Sequence, residues 1–321
     1  MQRSMEEDTA GAGDRPGERG GLPWWQASGV ESQSMPAGAL YVVALPIGNA
    51  ADISLRALWT LGRVDAIAAE DTRETRRLLD RYGIGTPLLA AHQHNERGVA
   101  ERIVARLQGG ERIALVSDAG TPAVSDPGAL VVRAVRDAGL RVVPVPGASS
   151  VLAAVAAAGL APGPFRFVGF LDTRTQARAR VLAAIAAQAE PCVLFEAPHR
   201  IAQLARELAD ALPAARRVVI ARELTKKFET VDALTADALA AWAQTHEPRG
   251  EYVVLVDAAP VATPDESAQI DATTARWLAA LAAALPASKA AAVAAKASGL
   301  PRALLYAALT RAGNEDSAAP D

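Results

Sequence analysis

The residues best suited to chemistry in this 321-residue chain lie in the run L-V-S-D-A-G-T-P-A-V-S-D-P-G, residues 115–128. Two acids, Asp118 and Asp126, stand there among four backbone breakers, Gly120, Pro122, Pro127 and Gly128. The run leaves a short apolar strand expected over 112–117 and enters a helix. Open α/β sheets bind ligands in the crevice beyond the carboxyl ends of their strands. Gly120 lets backbone approach a ligand closely, and freed N–H groups and carboxylates can hold polar cofactor groups. Taken alone, Asp126 and Pro127 read as a helix start, with Asp126 at the N-cap and Pro127 at N1.

Three more strand exits of the same half carry unusual loops: P-I-G-N at 46–49, A-E-D-T-R at 69–73 and V-P-G-A-S-S at 145–150. The second half adds F-E-A-P-H-R at 195–200 and R-E-L-T-K at 222–226. Two such edges facing each other make a polar cleft between domains, a common cofactor position. Each motif also has a plainer reading. Asp71 with Glu74 fits a helix cap and its partner. His92 and His94 have no third ligand at zinc spacing, so no metal is expected. Acid, histidine and arginine fall within five residues at Glu196, His199 and Arg200. The chain has neither G-x-G-x-x-G nor G-x-x-x-x-G-K-[ST], and no G-x-S-x-G elbow.

Apolar runs of about five residues alternate with amphipathic helices, which argues for buried, largely parallel sheet. Strands are expected over 40–45, 64–69, 88–91, 112–117 and 141–145 in the first half. The helices between them are expected over 54–61, 72–82, 96–107, 128–138 and onward to 158. After the G-L-A-P-G-P linker the second half offers strands over 165–170, 192–195, 217–222 and 251–256, with helices over 175–188, 200–211 and 235–244. The fold class expected is two α/β domains with a cleft between them, at 39–159 and 160–258. A small all-α, helix-turn-helix-like unit follows at 269–313, with Ser288 capping its middle helix and Gly299 ending it. Residues 1–38, rich in Gly, Pro, Ser and charge, read as a disordered extension.

Composition narrows the function classes. No apolar run reaches membrane-span length, so a soluble, cytoplasmic protein without membrane contact is expected. The single cysteine, Cys192, sits in an apolar strand pattern and rules out disulfides and cysteine-built metal sites. The net charge is −3, yet residues 1–38 hold three Arg against six acids and residues 315–321 three acids and no base, leaving +3 on residues 39–314. Between Asp271 and Glu315 the bases Arg276, Lys289, Lys296, Arg302 and Arg311 meet no acid, which favours a nucleic-acid contact there.

P-I-G-N, A-E-D-T-R, S-D-A-G-T-P, V-P-G, H-R after F-E, E-L-T-K and G-E-Y-V-V-L, in this order and spacing, resemble the ribosomal RNA small subunit methyltransferase I family. That family belongs to the tetrapyrrole-methylase-like (class III methyltransferase) superfamily of S-adenosylmethionine enzymes. The likeness covers about residues 40–258, and the C-terminal unit resembles the family's appended helix-turn-helix domain. It implies S-adenosyl-L-methionine in the cleft, a homodimer, and 2′-O-methylation of a cytidine ribose in 16S ribosomal RNA, free or in the small ribosomal subunit. By that likeness Pro46, Ser117, Asp118, Ala119, Val124, Ala148, Ser149, Phe195, Glu223 and Leu224 line the cofactor, beside Gly120, expected there from its place in the strand-exit loop. The bases that would meet RNA are Arg73, Arg200, Lys226, Lys289, Lys296 and Arg302. The chain departs from the family pattern at Ala44 and Leu45, where small polar residues are usual, at Phe195, where Tyr is frequent, and at Asp172, where Pro commonly follows G-F-L.

Methyl transfer from a sulfonium is an in-line displacement that needs alignment more than covalent help. A ribose hydroxyl is a poor nucleophile, so a base, or a cation stabilising the alkoxide, should assist. Glu70, Asp71, Glu196, Glu223 and Lys226 are the loop groups able to do so, and sequence does not choose among them. Two rivals share these features: a tetrapyrrole or diphthine methyltransferase on the same fold, and a non-catalytic RNA-binding ribosome assembly factor. Relatives of the first kind carry a Gly-rich first loop and a G-D-P signature where this chain has P-I-G-N and S-D-A-G.

Overall fold

The computed structural model describes residues 27–91, 96–245, 247–259 and 270–315. His92, His94, Trp24 and Trp25 lie outside the described residues. The chain divides into two compact units, residues 1–257 and 258–321.

The first sheet of the larger unit contains β1 (Ala39–Val43), β2 (Ala66–Ala69), β3 (Leu88–Ala90), β4 (Ile113–Val116) and β5 (Arg141–Val145). Their spatial order is β3-β2-β4-β1-β5, and every neighbouring pair is parallel. The five strands therefore open their carboxyl ends on one edge. β2 and β4 are buried at every residue, as expected for strands covered on both faces. The covering helices are α1 (Leu55–Leu61), α2 (Thr72–Arg81), α3 (Glu96–Gln108) and α4 (Ala129–Asp137). From β1 the chain crosses to one side and from β4 to the other, so the gap between these adjacent strands is a topological switch point. An isolated antiparallel bridge, Leu45 with Gly120, joins the two loops at that gap.

The second sheet is β6 (Arg166–Phe170), β7 (Cys192–Glu196), β8 (Arg217–Arg222), β9 (Thr230–Thr235) and β10 (Tyr252–Val256), in the order β6-β7-β10-β8-β9. Only β6 and β7 run parallel; β10 is antiparallel to both its neighbours, and β9 to β8. Its helices are α6 (Thr175–Ala186), α7 (Ile201–Ala211) and α8 (Leu239–Thr245). Helix α5 (Ser150–Ala158) leaves the first sheet but buries Val151, Ala154 and Ala158 with Val193, Val219 and Leu255 of the second. That shared apolar cluster fixes the two strand edges against each other.

Several expectations need correction. β9 occupies residues for which no strand was expected, and α8 begins at Leu239 rather than at 235. The helix after the central loop starts at Ala129, with Gly128 at its N-cap, so Asp126 and Pro127 do not cap it; the Gly128 N–H donates instead to Glu96. Of the extension read to residue 38 as disordered, residues 30–36 make ordered contacts with the first sheet's domain. Val30 is buried, the Tyr41 hydroxyl donates to the Pro36 carbonyl, and Arg112 donates to the Met35 carbonyl.

The smaller unit has three helices, α9 (Ala272–Ala284), α10 (Ala287–Ser298) and α11 (Arg302–Glu315), around Leu278, Ala291, Ala294 and Leu305. Asp271 caps α9 by accepting from the Thr273 and Thr274 amides. Ser288 lies inside α10, whose N-cap is Pro286, and Gly299 ends that helix in the left-handed region at φ 73°. Among the described residues no helix is long and apolar enough to cross a membrane.

Candidate active site

A cavity of about 260 Å³ opens between the carboxyl edge of the first sheet and the second sheet. Ile47, Val124, Val151, Phe170, Phe195, Leu224 and Val253 form apolar walls, and Thr121, Ser125, Asp126, Ser149, Ser150 and Glu251 supply polar groups. Phe195 is held edge-on by Phe167 and Phe170, with ring centroids 5.1 and 5.5 Å away. Among the described residues, four non-glycine residues have left-handed backbone, and all lie on the two loops that meet here: Ala123 and Ser125 on one, Glu223 and Thr225 on the other. Such conformations cost of order 1–3 kcal/mol each and persist where surrounding structure dictates them, often at functional sites.

Of the residues expected to line the cofactor, Ala119, Gly120, Val124, Ser149, Phe195 and Leu224 border this cavity. Others sit behind it as supports. The Asp118 carboxylate accepts from the Asp71 N–H at 2.9 Å, tying two strand exits together. Ser117 is buried, with its hydroxyl proton shared between the Ala119 carbonyl and the Asp126 carboxylate. The Ala148 carbonyl accepts from Thr121, and Pro46 belongs to the loop beyond β1. Gly120 has φ 69°, with its N–H and C=O both bonded to Leu45. Its main-chain groups are therefore not free for a ligand. Glycine is needed there for the left-handed turn, and a Cβ would meet Ile47 at 3.4 Å.

Glu223 and Lys226 form an ion pair at 2.9 Å, and Lys226 reaches Glu251 at the same distance. The Glu223 carboxylate also accepts the Glu251 N–H. Burial alone would raise the Glu223 carboxyl, but hydrogen bonds from Lys226 and the Glu251 amide hold it below the usual range. Burial alone would lower Lys226, and its bonds to Glu251 and Glu223 raise it instead.

The remaining candidates are engaged in other contacts, although Glu196 also borders the cavity. Asp71 is the N-cap of α2 and pairs with the exposed Arg73, whose hydrogen bonds hold the carboxyl down at about 2. Glu70 lines a separate small cavity with Glu96, Leu115 and Gly128. Glu196 is a correction: its side chain is fully buried between Arg178 at 3.0 Å and Arg200 at 3.2 Å. Arg200 is likewise turned inward, since it also donates to the Leu171 carbonyl. Asp172 is turned on Arg174, whose hydrogen bonds place its carboxyl at about 2. Lys289, Lys296 and Arg302 are exposed on the smaller unit. Sequence reasoning missed Ile47, Thr121, Ser150 and Val253, whose types give no signal beyond packing or capping; Asp126 and Glu251 were visible but not assigned to the cofactor.

Two stacked α/β layers with a cavity at a switch point define a methyltransferase of the tetrapyrrole methylase kind, and residues 39–240 match the family Tetrapyrrole (Corrin/Porphyrin) Methylases. Residues 268–312 match the RsmI C-terminal HTH domain. The chain belongs to the ribosomal RNA small subunit methyltransferase I family. It is 47% identical to the protein of that name from Pseudomonas aeruginosa, over 87% of this chain and 99% of the relative. The Escherichia coli O157:H7 protein is 45% identical over 84% of this chain and 93% of its own length. Among solved structures, the methyltransferase CobJ superposes with a TM-score of 0.55 at 22% identity, covering 70% of this chain and 95% of its own. Diphthine synthase does so at 0.54 and 19%, covering 68% and 90%. A uroporphyrin-III C-methyltransferase from Thermus thermophilus, solved with S-adenosyl homocysteine, gives 0.50 at 17% identity, covering 68% and 97%. These structural likenesses speak to the fold.

Proposed function

We propose that the chain uses S-adenosylmethionine to methylate the ribose 2′-oxygen of a cytidine in 16S ribosomal RNA, acting in the cytoplasm as a homodimer. The observation that carries the reading is the cavity itself. It lies at the switch point and is walled by left-handed turns from both halves, in a chain of the small-subunit methyltransferase family. Its residues suit the donor: apolar walls and Phe195 accept a flat purine, hydroxyls of Ser125 and Ser149 meet polar groups, and Asp126 offers a negative charge. When bound, the sulfonium supplies the methyl group for in-line displacement.

The chain's own residues do the rest. Apolar walls exclude water from the reacting centre. Lys226, bonded to the cavity residue Glu251 and steadied by Glu223, is the cation positioned to stabilise charge developing on the ribose oxygen. The exposed bases of the smaller unit hold RNA phosphates. A tetrapyrrole substrate would find no use for the acid-free basic helices, and a non-catalytic assembly factor none for a strained cofactor cavity. Ribose-methylation mapping of ribosomal RNA from a deletion strain tests the reading. One cytidine in the small subunit should lose its 2′-O-methyl group and regain it on complementation, and an unchanged map would overturn the assignment.

A further inference from the structure

Three acids border the cavity, and two of them are matched. Glu196 lies between Arg178 and Arg200, and Glu251 holds Lys226. Asp126 forms no ion pair with any described base. Its polar neighbours are the Ser117 hydroxyl and, through space, the like-charged Asp118. Burial raises its carboxyl; the Ser117 hydrogen bond opposes this and the Asp118 charge adds to it. An uncompensated, half-buried carboxylate costs stability until a cation arrives.

The loop bearing it is fixed in place. Ser125, immediately before it, has φ 65° and packs so closely on the second sheet that a Cβ at Gly169 would come within 3.1 Å of its hydroxyl. Ala123 donates across the same loop to the Pro127 carbonyl. The backbone that carries the carboxylate is thus held at the cavity by its own turn.

We propose that Asp126 reads the positive charge of the methyl donor, so that the cavity prefers the sulfonium to the neutral thioether left after transfer. This rests on the methyl-donor reading above. In the transfer the S–CH₃ bond breaks with its electron pair remaining on sulfur, an oxygen lone pair forms the O–CH₃ bond, and the hydroxyl proton leaves to water. The ligand in the cavity thus loses one positive charge, and with it the attraction of Asp126. Chemistry itself loosens the product.

The test is isothermal calorimetry of S-adenosylmethionine and S-adenosylhomocysteine on the wild type and on Asp126→Asn. An adjacent opposite charge favours a charged form by about one to three tenfold steps. Asp126→Asn should therefore weaken the donor by roughly tenfold or more while leaving the product within about twofold, with a melting temperature no lower than wild type. Equal weakening of both ligands, or no change in either, would overturn the assignment. A wild type that binds neither ligand would overturn the methyl-donor reading and the proposal with it.

Discussion

A Cβ placed on Gly48 would come within 2.4 Å of Lys226 Cγ: the turn after β1 and the loop after β8 touch through a glycine that has room for nothing larger. The contact is reinforced by the Asn49 N–H, which donates to the Thr225 hydroxyl at 3.1 Å. Gly48→Ala should therefore push the Lys226 stem aside. A displacement of about 1 Å can cost on the order of 100-fold in rate. Single-turnover methylation should slow by roughly 10- to 100-fold in a protein that still folds, with a melting temperature no lower than that of Glu223→Gln. A wild-type rate would show that the position of Lys226 is immaterial.

Lys226→Ala removes the cation itself. A transition-state role predicts a turnover loss of about 100-fold, the scale of removing one oxyanion donor, with little change in RNA affinity. A phosphate-binding role predicts weaker RNA binding and normal turnover at saturating RNA. Single-turnover rates with saturating RNA and donor separate the two.

The Glu223–Lys226 pair also makes a prediction about pH. Glu223 is depressed on folding, so its contribution is present above the unfolded carboxyl value, about 4.3, and fades as pH falls through the lower folded value. Lys226 is raised, so its contribution is full below about 10.4 and is lost as pH rises through the folded value. Glu223→Gln should lower the melting temperature at pH 7, and the gap from wild type should close in acid. A gap that persists well below pH 4 would assign the effect to packing.

Glu196 should prove structural. Breaking a buried ion pair by removing one partner typically costs about 3–5 kcal/mol. Glu196→Ala should destabilise by about that much in urea unfolding. Glu196→Gln, which keeps a hydrogen-bond acceptor toward Arg178, should lose less. If Glu196→Gln folds well yet abolishes turnover, the residue touches the reaction after all.

The smaller unit should act through charge. Removing one phosphate-binding lysine lowers the salt slope of RNA binding by about 1, so Lys289→Ala with Lys296→Ala should flatten it by about 2. Donor affinity should not change. An unaltered slope would remove these lysines from the RNA surface.

What the sequence could and could not say follows from how each feature is encoded. β2 and β4 are apolar runs between breakers, and Ser54, Ser149 and Asp271 stand at helix starts, so these elements are legible from neighbours in the chain. β9 alternates half-buried and exposed residues at a sheet edge and carries Asp232, so no strand is expected there. Gly128 receives its cap from Glu96, 32 residues away, and no local pattern reports that. The cavity was legible through its loops, because glycine, proline and acids mark them. Its walls were not: Ile47, Val151 and Val253 carry the same signal as any core residue.

The helix that closes the first half has a consequence for how the protein comes into being. Val151, Ala154 and Ala158 find most of their apolar partners in strands made later, and the last of those strands, β10, is inserted between β7 and β8. A chain still on the ribosome with residues 39–159 emerged would display that helix face to water, attractive to chaperones and to other nascent chains. The donor cavity, which needs Val253 and Glu251, cannot exist until residue 256 is free to pair. Competence to bind the methyl donor therefore arrives late and all at once, as the final strand of the second sheet drops into its centre.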